Sequence, residues 1–311
     1  MIVVGAGMSG LLAAHYFRSR PGGVTVLERQ PGPADNHGAL LRFRTDAVMR
    51  ITGAPLKPVQ VQKAIMEEDG TLTGTCTLLH ANSYSYKVTG RAEPRSIISL
   101  EPGVRWVAAP DFLERMRQGV SVIYDCDLPA DEYARNASGH DGLISTAPLP
   151  AVLNELKVEH SPAEFRSQAI TTVRVPLADV ELYQTVYCPS VAHEPYRVSF
   201  AGSDMLMEYV GEGPQEPQQS WAYFCERILG FVPYVTADST SKTQWHGKIV
   251  ALPKARRREL IAQVTDRSGA YMLGRFGTWR QLLLDELVPD LKAICEMMDG
   301  GGWAQRRLRS A

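Results

Sequence analysis

The hydrophobic pattern at the start of the chain is that of a strand, a turn, a helix and a second strand. Ile2–Val4 is a β-branched run, which predicts a buried strand. Apolar residues at helical spacing come next, and Pro21 marks the predicted end of that helix. Residues 24–27 predict a second strand that closes on Glu28. The first residues therefore predict a complete β-α-β unit.

The middle of the chain has a different pattern. Residues 56–91 alternate β-branched, aromatic and polar positions, and residues 170–210 contain strand-like runs without helices between them. Residues 211–219 are rich in Pro, Gln, Glu and Gly, which predicts an exposed loop. The antiparallel strands expected in the first of these segments are residues 59–61, 72–79 and 84–88.

Strand and helix signals return on both sides of that region. Residues 120–124 and 143–146 predict core strands. Residues 270–273 predict another strand, which leads into a glycine turn and a helix from about Gln281. Pro289 should break or kink that helix at Val288, because proline lacks the amide hydrogen that a helix interior needs.

The turn after the first strand has a glycine pattern that suits a dinucleotide. Gly5 permits a tight turn, Gly7 allows the backbone to approach a pyrophosphate, and Gly10 allows the helix to pack closely on the strand. The N-terminus of the next helix favours a negative charge, and Glu28 is expected to accept hydrogen bonds from ribose hydroxyls. The alternative is a structural turn with no ligand.

The far end of the chain favours FAD over NAD as the cofactor. Residues 271–280 predict a strand and a glycine turn that lead into a helix, and Gly274 and Arg275 lie at that turn. A second helix N-terminus there is suited to the pyrimidine end of an isoalloxazine. A second glycine motif for NAD(P)H is missing, since residues 300–302 come after a helix rather than a strand.

These patterns predict an α/β fold with a discontinuous Rossmann-type FAD-binding domain and an inserted, mainly antiparallel α+β substrate domain. The first should comprise residues 1–55, 92–150 and 245–311, and the second residues 56–91 and 151–244. The expected FAD contacts are Gly5, Gly7, Met8, Ser9, Gly10, Glu28, Arg29, His37, Gly38, Leu41, Val122, Thr146, Gly274, Arg275, Gln281 and Leu282.

Composition narrows the partners and sites that the protein can be expected to have. The formal net charge is −1, so any nucleic-acid contact must come from local patches. No apolar run approaches the length of about 20 residues that spans a bilayer. The five cysteines are scattered and odd in number, which disfavours a disulfide framework or a zinc site. The sequence thus predicts a cytoplasmic protein with neither a metal site nor a membrane partner.

Three segments resemble known flavoproteins. Residues 1–29 resemble the FAD fingerprint of glutathione-reductase-type flavoproteins, the group that contains the amine oxidases. Residues 36–45 resemble the flavin-edge loop of UDP-galactopyranose mutases, although the mutases carry a histidine where Arg42 or Arg44 lies. Residues 273–280, together with Leu284 and Asp285, resemble the C-terminal FAD motif of the same family.

A second resemblance is to phage-encoded FAD enzymes associated with thymine hypermodification of DNA. It is carried by four short segments, residues 42–45, 183–187, 247–249 and 274–279. This resemblance implies oxidation of a C–N bond in a glycine adduct of thymine, which leaves an aminomethyl base and glyoxylate. It also implies an amine or amino-acid-adduct substrate, molecular oxygen as acceptor, DNA as a candidate partner, and a host cytoplasm as the location.

Four residues are candidates for catalysis. Lys248 is expected to hold a water at flavin N5, as a lysine does in amine oxidases that reduce oxygen, or else to be a surface lysine. Arg42 and Arg44 alternate with apolar residues, so on a strand both would face one side and could grip a carboxylate or phosphate. The alternative for them is structural salt bridges. Tyr187 suits either a substrate cavity wall or the core.

A basic run offers a nucleic-acid contact. Arg256, Arg257 and Arg258 are consecutive, and such a run is either a phosphate-binding surface or a solvated face. A second group of arginines lies near the C-terminus, at Arg306, Arg307 and Arg309. Two other functions stay open beside amine oxidation. One is a mutase-like reaction on a nucleotide sugar, and the other is FAD binding without catalysis, as in the prenylation-associated chaperones of this fold.

Overall fold

Two β-sheets form the framework of the protein. The computed structural model describes residues 1–33, 38, 40–92, 97, 99–139, 141–214 and 218–300. The smaller sheet has five parallel strands in the order β14-β8-β1-β2-β7. Its strands are β1 (Ile2–Val4), β2 (Thr25–Leu27), β7 (Ser121–Ile123), β8 (Leu143–Ser145) and β14 (Ala270–Met272).

The larger sheet has nine strands in the order β13-β9-β12-β11-β10-β4-β6-β3, with β5 paired to β4. Its pairs are antiparallel except for β10 and β4, which run parallel. Its strands are β3 (Arg42–Phe43), β4 (Leu56–Met66), β5 (Leu72–Thr73), β6 (Gly103–Ala108), β9 (Ser167–Pro176), β10 (Leu182–Tyr187), β11 (Arg197–Gly202), β12 (Asp204–Val210) and β13 (Thr240–Ile249).

Helices cover both sheets, and short 3₁₀ turns connect several of them. The α-helices of the described residues are α1 (Met8–Phe17), α2 (Ala47–Thr52), α3 (Leu78–Thr89), α4 (Phe112–Arg117), α5 (Tyr133–Gly139), α6 (Leu149–Glu155), α7 (Gln218–Leu229), α8 (Lys254–Ser268), α9 (Gly274–Gly277) and α10 (Val288–Asp299). The parallel sheet with its covering helices and the mainly antiparallel second sheet confirm the predicted fold class.

Helix α1 packs on the parallel sheet at unusually short range, and Gly10 permits this. A Cβ added at Gly10 would lie 1.9 Å from the carbonyl oxygen of Gly5. Gly5 itself has φ +98°, a conformation that other residues rarely adopt. Leu11 and Leu12 in the first turns of the helix are fully buried. The β-α-β unit predicted from the sequence is therefore present, and its turn depends on two glycines.

The prediction of strands at residues 72–79 and 84–88 is wrong beyond β5, because α3 occupies that segment. Thr77 caps the helix in a capping box with His80, and Gly90 ends it with a left-handed φ of +70°. The buried residues of α3 include Ala81, Tyr84 and Val88, whose spacing is helical. The alternation of aromatic and polar residues concealed this spacing.

Two further expectations need correction. The helix predicted from about Gln281 begins at Val288 instead, after a 3₁₀ turn over Leu284–Leu287. Pro289 lies in the first turn of α10, where its missing amide hydrogen costs nothing, so it starts the helix rather than breaking it. Strand β7, expected in the core, is an edge strand, and Ile123 is 50% exposed.

Sheet membership differs from the expected domain boundaries at three strands. β3 and β6 lie in the nine-stranded sheet, although the sequence pattern places residues 42–43 and 103–108 in the FAD-binding part. β13 also belongs to this sheet over its whole length, although the expected boundary places residues 245–249 in the FAD-binding part. The physical reason is pairing: β3 and β4 both pair with β6, and β13 pairs with β9.

The nine-stranded sheet has one apolar and one polar face. Val186, Val198, Met207 and Val173 are cross-strand neighbours on the apolar face, which α7 covers with residues that include Phe224. The polar face carries the next residue of each strand. Within the described ranges, no helix is both long and apolar enough to cross a membrane.

The close contact between α1 and the first turn leads to a stability prediction. In an open helix, Gly10→Ala would stabilise by up to about 1 kcal/mol through helix propensity. Here the added Cβ meets backbone 1.9 Å away, so we expect a net loss of at least about 1–3 kcal/mol in the free energy of unfolding. Urea denaturation measures this. Gly32→Ala, where an added Cβ meets nothing within 4 Å, is the matched control, and equal stability of both variants would contradict the prediction.

Candidate functional site

The five parallel strands end at one edge, and this edge collects most of the predicted cofactor residues. The register aligns Val4 with Leu27 and with Ser145, and Ser145 with Met272. The residues immediately after these strand ends therefore share one edge, which is where ligands of such sheets bind. They are Gly5, Glu28, Thr146 and the Leu273–Gly274 turn.

The N-terminus of α1 lies open at this edge. Gly7 is the N-cap, it is exposed, and a Cβ added there would meet nothing within 4 Å. Helix N-termini offer amide hydrogens and a positive partial charge to a phosphate. Glu28 accepts hydrogen bonds from Ala6 N at 2.7 Å and Gln30 N at 2.9 Å, so its carboxylate also braces the turn. Each of its oxygens keeps a second lone pair for a ribose hydroxyl.

The glycine turn near the C-terminus touches the first turn directly. A Cβ added at Gly274 would lie 2.7 Å from Ser9 Oγ, and Gly274 has φ +87°. Thr146 donates from both its amide and its hydroxyl to Val4 O, at 2.9 Å each. Its Oγ1 lies 2.4 Å from where a Cβ on Gly5 would sit. The structure thus brings Gly5, Ser9, Thr146 and Gly274 into one small region.

Asp285 is a buried carboxylate whose two oxygens differ in their hydrogen bonding. Its Oδ2 accepts from Arg44 N and Thr45 N, both at 2.9 Å, and from Thr45 Oγ1 at 3.1 Å. Its Oδ1 has no hydrogen-bond partner among the described residues, although Asp285 is only 6% exposed. An unpaired buried acceptor is costly, and a hydroxyl donor such as that of a ribityl chain would satisfy it. With the open turn at Gly7, this arrangement fits FAD.

The remaining predicted cofactor residues have varied surroundings. Met8 is half-buried at the start of α1, and Val122 pairs with Val26 at the centre of β7. Arg29 is exposed. A Cβ on Gly38 would lie 3.1 Å from Lys242 Cβ, so Gly38 adjoins β13 of the larger sheet.

Three further predicted cofactor residues are Leu41, Gln281 and Leu282. Leu41 O accepts from Ala108 N at 3.1 Å, which fixes the approach to β3. Gln281 donates to Ile249 O at 2.9 Å, and Leu282 packs against the core of the parallel sheet. His37 lies outside the described residues.

A row of polar residues crosses the larger sheet beside this edge. Tyr187, Arg197, Glu208 and Thr172 are direct cross-strand neighbours, so their side chains share one face. Arg197 binds both carboxylate oxygens of Glu208. Tyr196 is fully buried and donates its hydroxyl to Glu208 Oε1 at 2.9 Å. The carboxylate at the centre of the row is thus saturated by Arg197 and Tyr196.

The environment of Glu208 holds it ionised. Burial alone would raise its pKa, but the charges of Arg197 and Lys248 and the hydrogen bonds from Arg197 and Tyr196 lower the pKa of Glu208 to about 2. The Lys248 ammonium lies 5.3 Å from the ring centroid of Tyr196. Lys248 is therefore half-buried at the polar face, next to Tyr196 and Glu208, rather than on an open surface.

The other catalytic candidates separate into different surroundings. Tyr187 is 8% exposed, and its ring packs edge-on against Tyr84 of α3 at 5.3 Å between centroids. Arg42 donates to Thr185 Oγ1 at 2.8 Å, whereas Arg44 is exposed and pairs with Glu286 at 2.9 Å. Arg42 and Arg44 do not share a partner, because β3 ends at Phe43. Burial and the nearby Arg197 lower the pKa of Arg42 to about 10.

Arg275 links the two sheets. Its guanidinium donates to Gly247 O at 3.1 Å and to His246 O at 3.5 Å, at the irregular part of β13 that precedes Lys248. It also lies 4.6 Å from the centroid of the Phe276 ring. Burial lowers the pKa of Arg275. The residue after the Gly274 turn thereby fixes the strand that carries Lys248.

The basic run of α8 does not form one continuous surface. Consecutive helical residues point about 100° apart, so the three arginines diverge. Arg256 pairs with Glu164 and with Glu259, both at 3.0 Å. Arg257 is half-buried and Arg258 is exposed. The second group of arginines, residues 306, 307 and 309, lies outside the described residues.

Sequence reasoning missed the Arg197–Glu208 pair and the unpaired oxygen of Asp285. Neither Arg197 nor Glu208 belongs to a motif that marks it in the sequence. The pair depends on the β11–β12 register, which aligns the two residues across an antiparallel hairpin. A hairpin prediction with its turn between Gly202 and Ser203 would have found it.

Comparisons with known proteins agree with this architecture. The model of the NAD(P)-binding Rossmann-like domain matches residues 3–37. Reduced UDP-galactopyranose mutase has a similar fold, with TM-score 0.65, 12% identity, and coverage of 96% of this chain and 93% of that chain. The CLA-producing fatty acid isomerase from P. acnes is similar as well, with TM-score 0.58, 11% identity, and coverage of 94% and 97%.

A flavoprotein/dehydrogenase from Cytophaga hutchinsonii is also similar, with TM-score 0.52, 12% identity, and coverage of 96% of this chain and 78% of that chain. No curated protein matches the sequence. At these identities the likeness concerns the fold. The chain has a Rossmann-type α/β fold of the kind found in flavin-dependent oxidoreductases.

The Arg197–Glu208 pair gives a prediction with a defined pH dependence. Glu208→Gln leaves the half-buried Arg197 without its counter-charge, so at pH 7 we expect a loss of about 3 kcal/mol in the free energy of unfolding. Because the folded-state pKa of Glu208 is lowered to about 2, its contribution is complete above the unfolded value of about 4.3 and is lost as pH falls towards 2. Denaturant unfolding at pH 7 and pH 3 measures both effects.

The difference between wild type and Glu208→Gln should therefore shrink at the lower pH. Glu286→Gln is the matched control, since it removes the half-exposed partner of Arg44 and should cost about 0–1 kcal/mol. A Glu208 variant as stable as this control at pH 7 would refute the buried pair.

Proposed function

We propose that the protein is an FAD-dependent oxidoreductase that oxidises a carbon–nitrogen bond. The main support is the close contact between the two glycine turns. Gly274 lies against Ser9, and Arg275 donates a hydrogen bond to the strand that carries Lys248. A dinucleotide bound at the first turn would thereby end at the polar face of the second sheet. Gly7, Glu28, Thr146, Gly274 and Asp285 would hold it.

Bound FAD supplies an acceptor for a hydride from the carbon next to nitrogen and passes the electrons to oxygen. The chain's own residues orient the substrate and control protons. Arg42 carries a half-buried cation whose side-chain partner is the neutral Thr185 hydroxyl, which suits a carboxylate or phosphate of the substrate. Lys248, beside Tyr196 and Glu208, suits a water that donates protons during oxygen reduction.

The favoured substrate is a glycine adduct on the 5-methyl carbon of a thymine base in phage DNA. With one O₂ and one water consumed, the N–CH₂ bond of the glycyl group is oxidised and cleaved, giving the aminomethyl base, glyoxylate and hydrogen peroxide. This choice is supported by the resemblance to phage flavoenzymes. Helix α8 supports DNA binding less than its sequence suggested, since Arg256 already has two carboxylate partners.

The second candidate is a redox-neutral, mutase-like reaction on a nucleotide sugar. The same cationic polar face would suit a diphosphate, and the mutase shares the fold at TM-score 0.65. A protein that binds FAD without catalysis is the third possibility. Hydrogen peroxide formation separates the oxidase from both.

The first functional prediction concerns the cofactor. Purified protein should carry FAD, and Gly7→Val should abolish FAD retention, because the side chain would occupy the open position at the helix N-terminus. Absorbance of the flavin per protein in the purified sample measures this. Gly32→Val is the control, since that glycine also faces open space but lies outside the turn. Full flavin occupancy in Gly7→Val would overturn the assignment of the turn.

The second functional prediction concerns the reaction. Anaerobic mixing with glycine-modified thymidine should bleach the flavin and release glyoxylate, and admission of oxygen should restore the flavin and form peroxide. Lys248→Met should slow the oxidative half-reaction much more than the reductive one. Stopped-flow absorbance measures both steps.

Lys254→Met is the control, because Lys254 is exposed at the start of α8 and outside the Tyr196 contact. Unchanged reoxidation in Lys248→Met would remove its role in oxygen reduction. Faster turnover of free glycine than of the modified nucleoside would reject the thymine adduct, and absence of peroxide with every amine would favour the mutase-like reaction.

A further inference from the structure

Three cations share the polar face of the larger sheet at the end away from Lys248. Arg42 pairs with Val107 across β3 and β6, and Arg105 lies two residues from Val107 on the same strand. Lys63 of β4 pairs with Thr185, the residue that accepts from Arg42. Side chains alternate along each strand, so this register directs Arg42, Arg105 and Lys63 to one face.

None of these three cations has a carboxylate partner within 4.0 Å in the described part of the chain, whereas the neighbouring Arg44 and Arg197 do. Their hydrogen bonds go to neutral oxygens. Lys63 donates to Ser99 O at 3.3 Å and Arg105 to Val104 O at 2.8 Å.

Arg105 repels both of the other cations. Burial lowers the pKa of Lys63, and the charges of Arg105 and Arg44 lower it further, while Glu101 partly offsets them. Burial, Arg197 and Arg105 likewise lower the pKa of Arg42, while Tyr187 and Glu208 partly offset them. Half-buried like charges oppose folding, and a bound anion would relieve this cost.

A buried hydroxyl adds an independent observation on the same face. Ser199 pairs with Thr185 across β10 and β11, and it is 1% exposed. Its Oγ has no hydrogen-bond partner among the described residues. A buried hydroxyl without a partner is uncommon, and it can donate to an anionic oxygen.

We propose that Arg42, Lys63 and Arg105 form a binding site for a phosphate group of the substrate, with the Ser199 hydroxyl beside it. The inference deepens the proposed function, since it makes the substrate a nucleotide and moves the nucleic-acid contact from α8 to the β3–β6–β4 end of the sheet. The phosphate is either the monoester of a nucleotide or a diester of a polynucleotide. Both present the same oxygens to the three cations.

The test measures binding and does not depend on turnover. The FAD-loaded protein is titrated with thymidine, thymidine 5′-monophosphate and a short single-stranded oligothymidylate, by calorimetry at two salt concentrations. We expect the phosphate-bearing ligands to bind at least about tenfold tighter than thymidine. Lys63→Gln and Arg105→Gln should remove most of that advantage, and each should reduce the salt dependence by about one phosphate contact.

Arg258→Gln on α8 is the matched control, since it removes one exposed arginine and should leave binding unchanged. The melting temperatures of Lys63→Gln and Arg105→Gln without ligand should be equal to or above that of the wild type, because repulsion is relieved. Tight binding of the monophosphate identifies a nucleotide substrate, and binding of the oligonucleotide alone identifies a polynucleotide.

Equal affinity for thymidine and its monophosphate, loss of binding only in Arg258→Gln, or lowered melting temperatures in both variants would overturn the phosphate site. The proposed oxidation is measured separately, by flavin reduction. Phosphate binding without flavin reduction by any amine would reject the oxidase and keep the site. Flavin reduction by an amine, with equal binding of thymidine and its monophosphate, would support the oxidase and reject the phosphate site.

Discussion

Parallel pairing of strands that all end at one level is the constraint on which the site depends. The register fixes Val4, Leu27, Ser145 and Met272 side by side, although these residues are far apart in the sequence. The loops that leave these strand ends must then meet at one edge. The same register requires α1 to approach the sheet at backbone distance, and Gly10 is the residue that permits this. A helix N-terminus faces the edge for that reason.

The second sheet contributes charged side chains, and not a further glycine motif, to the surroundings of this edge. Its apolar face is covered by α7, and α3 packs on part of its polar face through the contact between Tyr84 and Tyr187. Arg197 and Glu208 neutralise each other at the centre of that face. Lys248 also acts on Glu208 through its charge. Among the described residues, Arg42, Lys63 and Arg105 have no carboxylate partner within 4.0 Å. The polar face thus has a neutralised ion pair at its centre and several cations at its β3 end. Arg275 couples this surface to the glycine turn of α9.

Local patterns were sufficient for the first β-α-β unit, because Gly5 and Gly10 meet steric requirements that other residues do not. They were also sufficient for β9 to β12, where alternation reflects one apolar and one polar face. They failed at α3, where aromatic residues on a helix imitated a strand, and at Pro289, because a proline that starts a helix resembles one that breaks it. The Arg197–Glu208 pair and the three cations were beyond reach, because they are defined by cross-strand register and not by neighbours in the sequence.

The order of the strands has a consequence for synthesis of the chain. β1 is made first, but its neighbour β8 comes about halfway along the sequence, and β14 lies near the end. Contacts between such distant segments form slowly, since the loop between them must close first. Gly274 is needed to complete the region around Ser9. A nascent chain on the ribosome therefore cannot complete the region around Ser9 until β14 and the Gly274 turn have emerged.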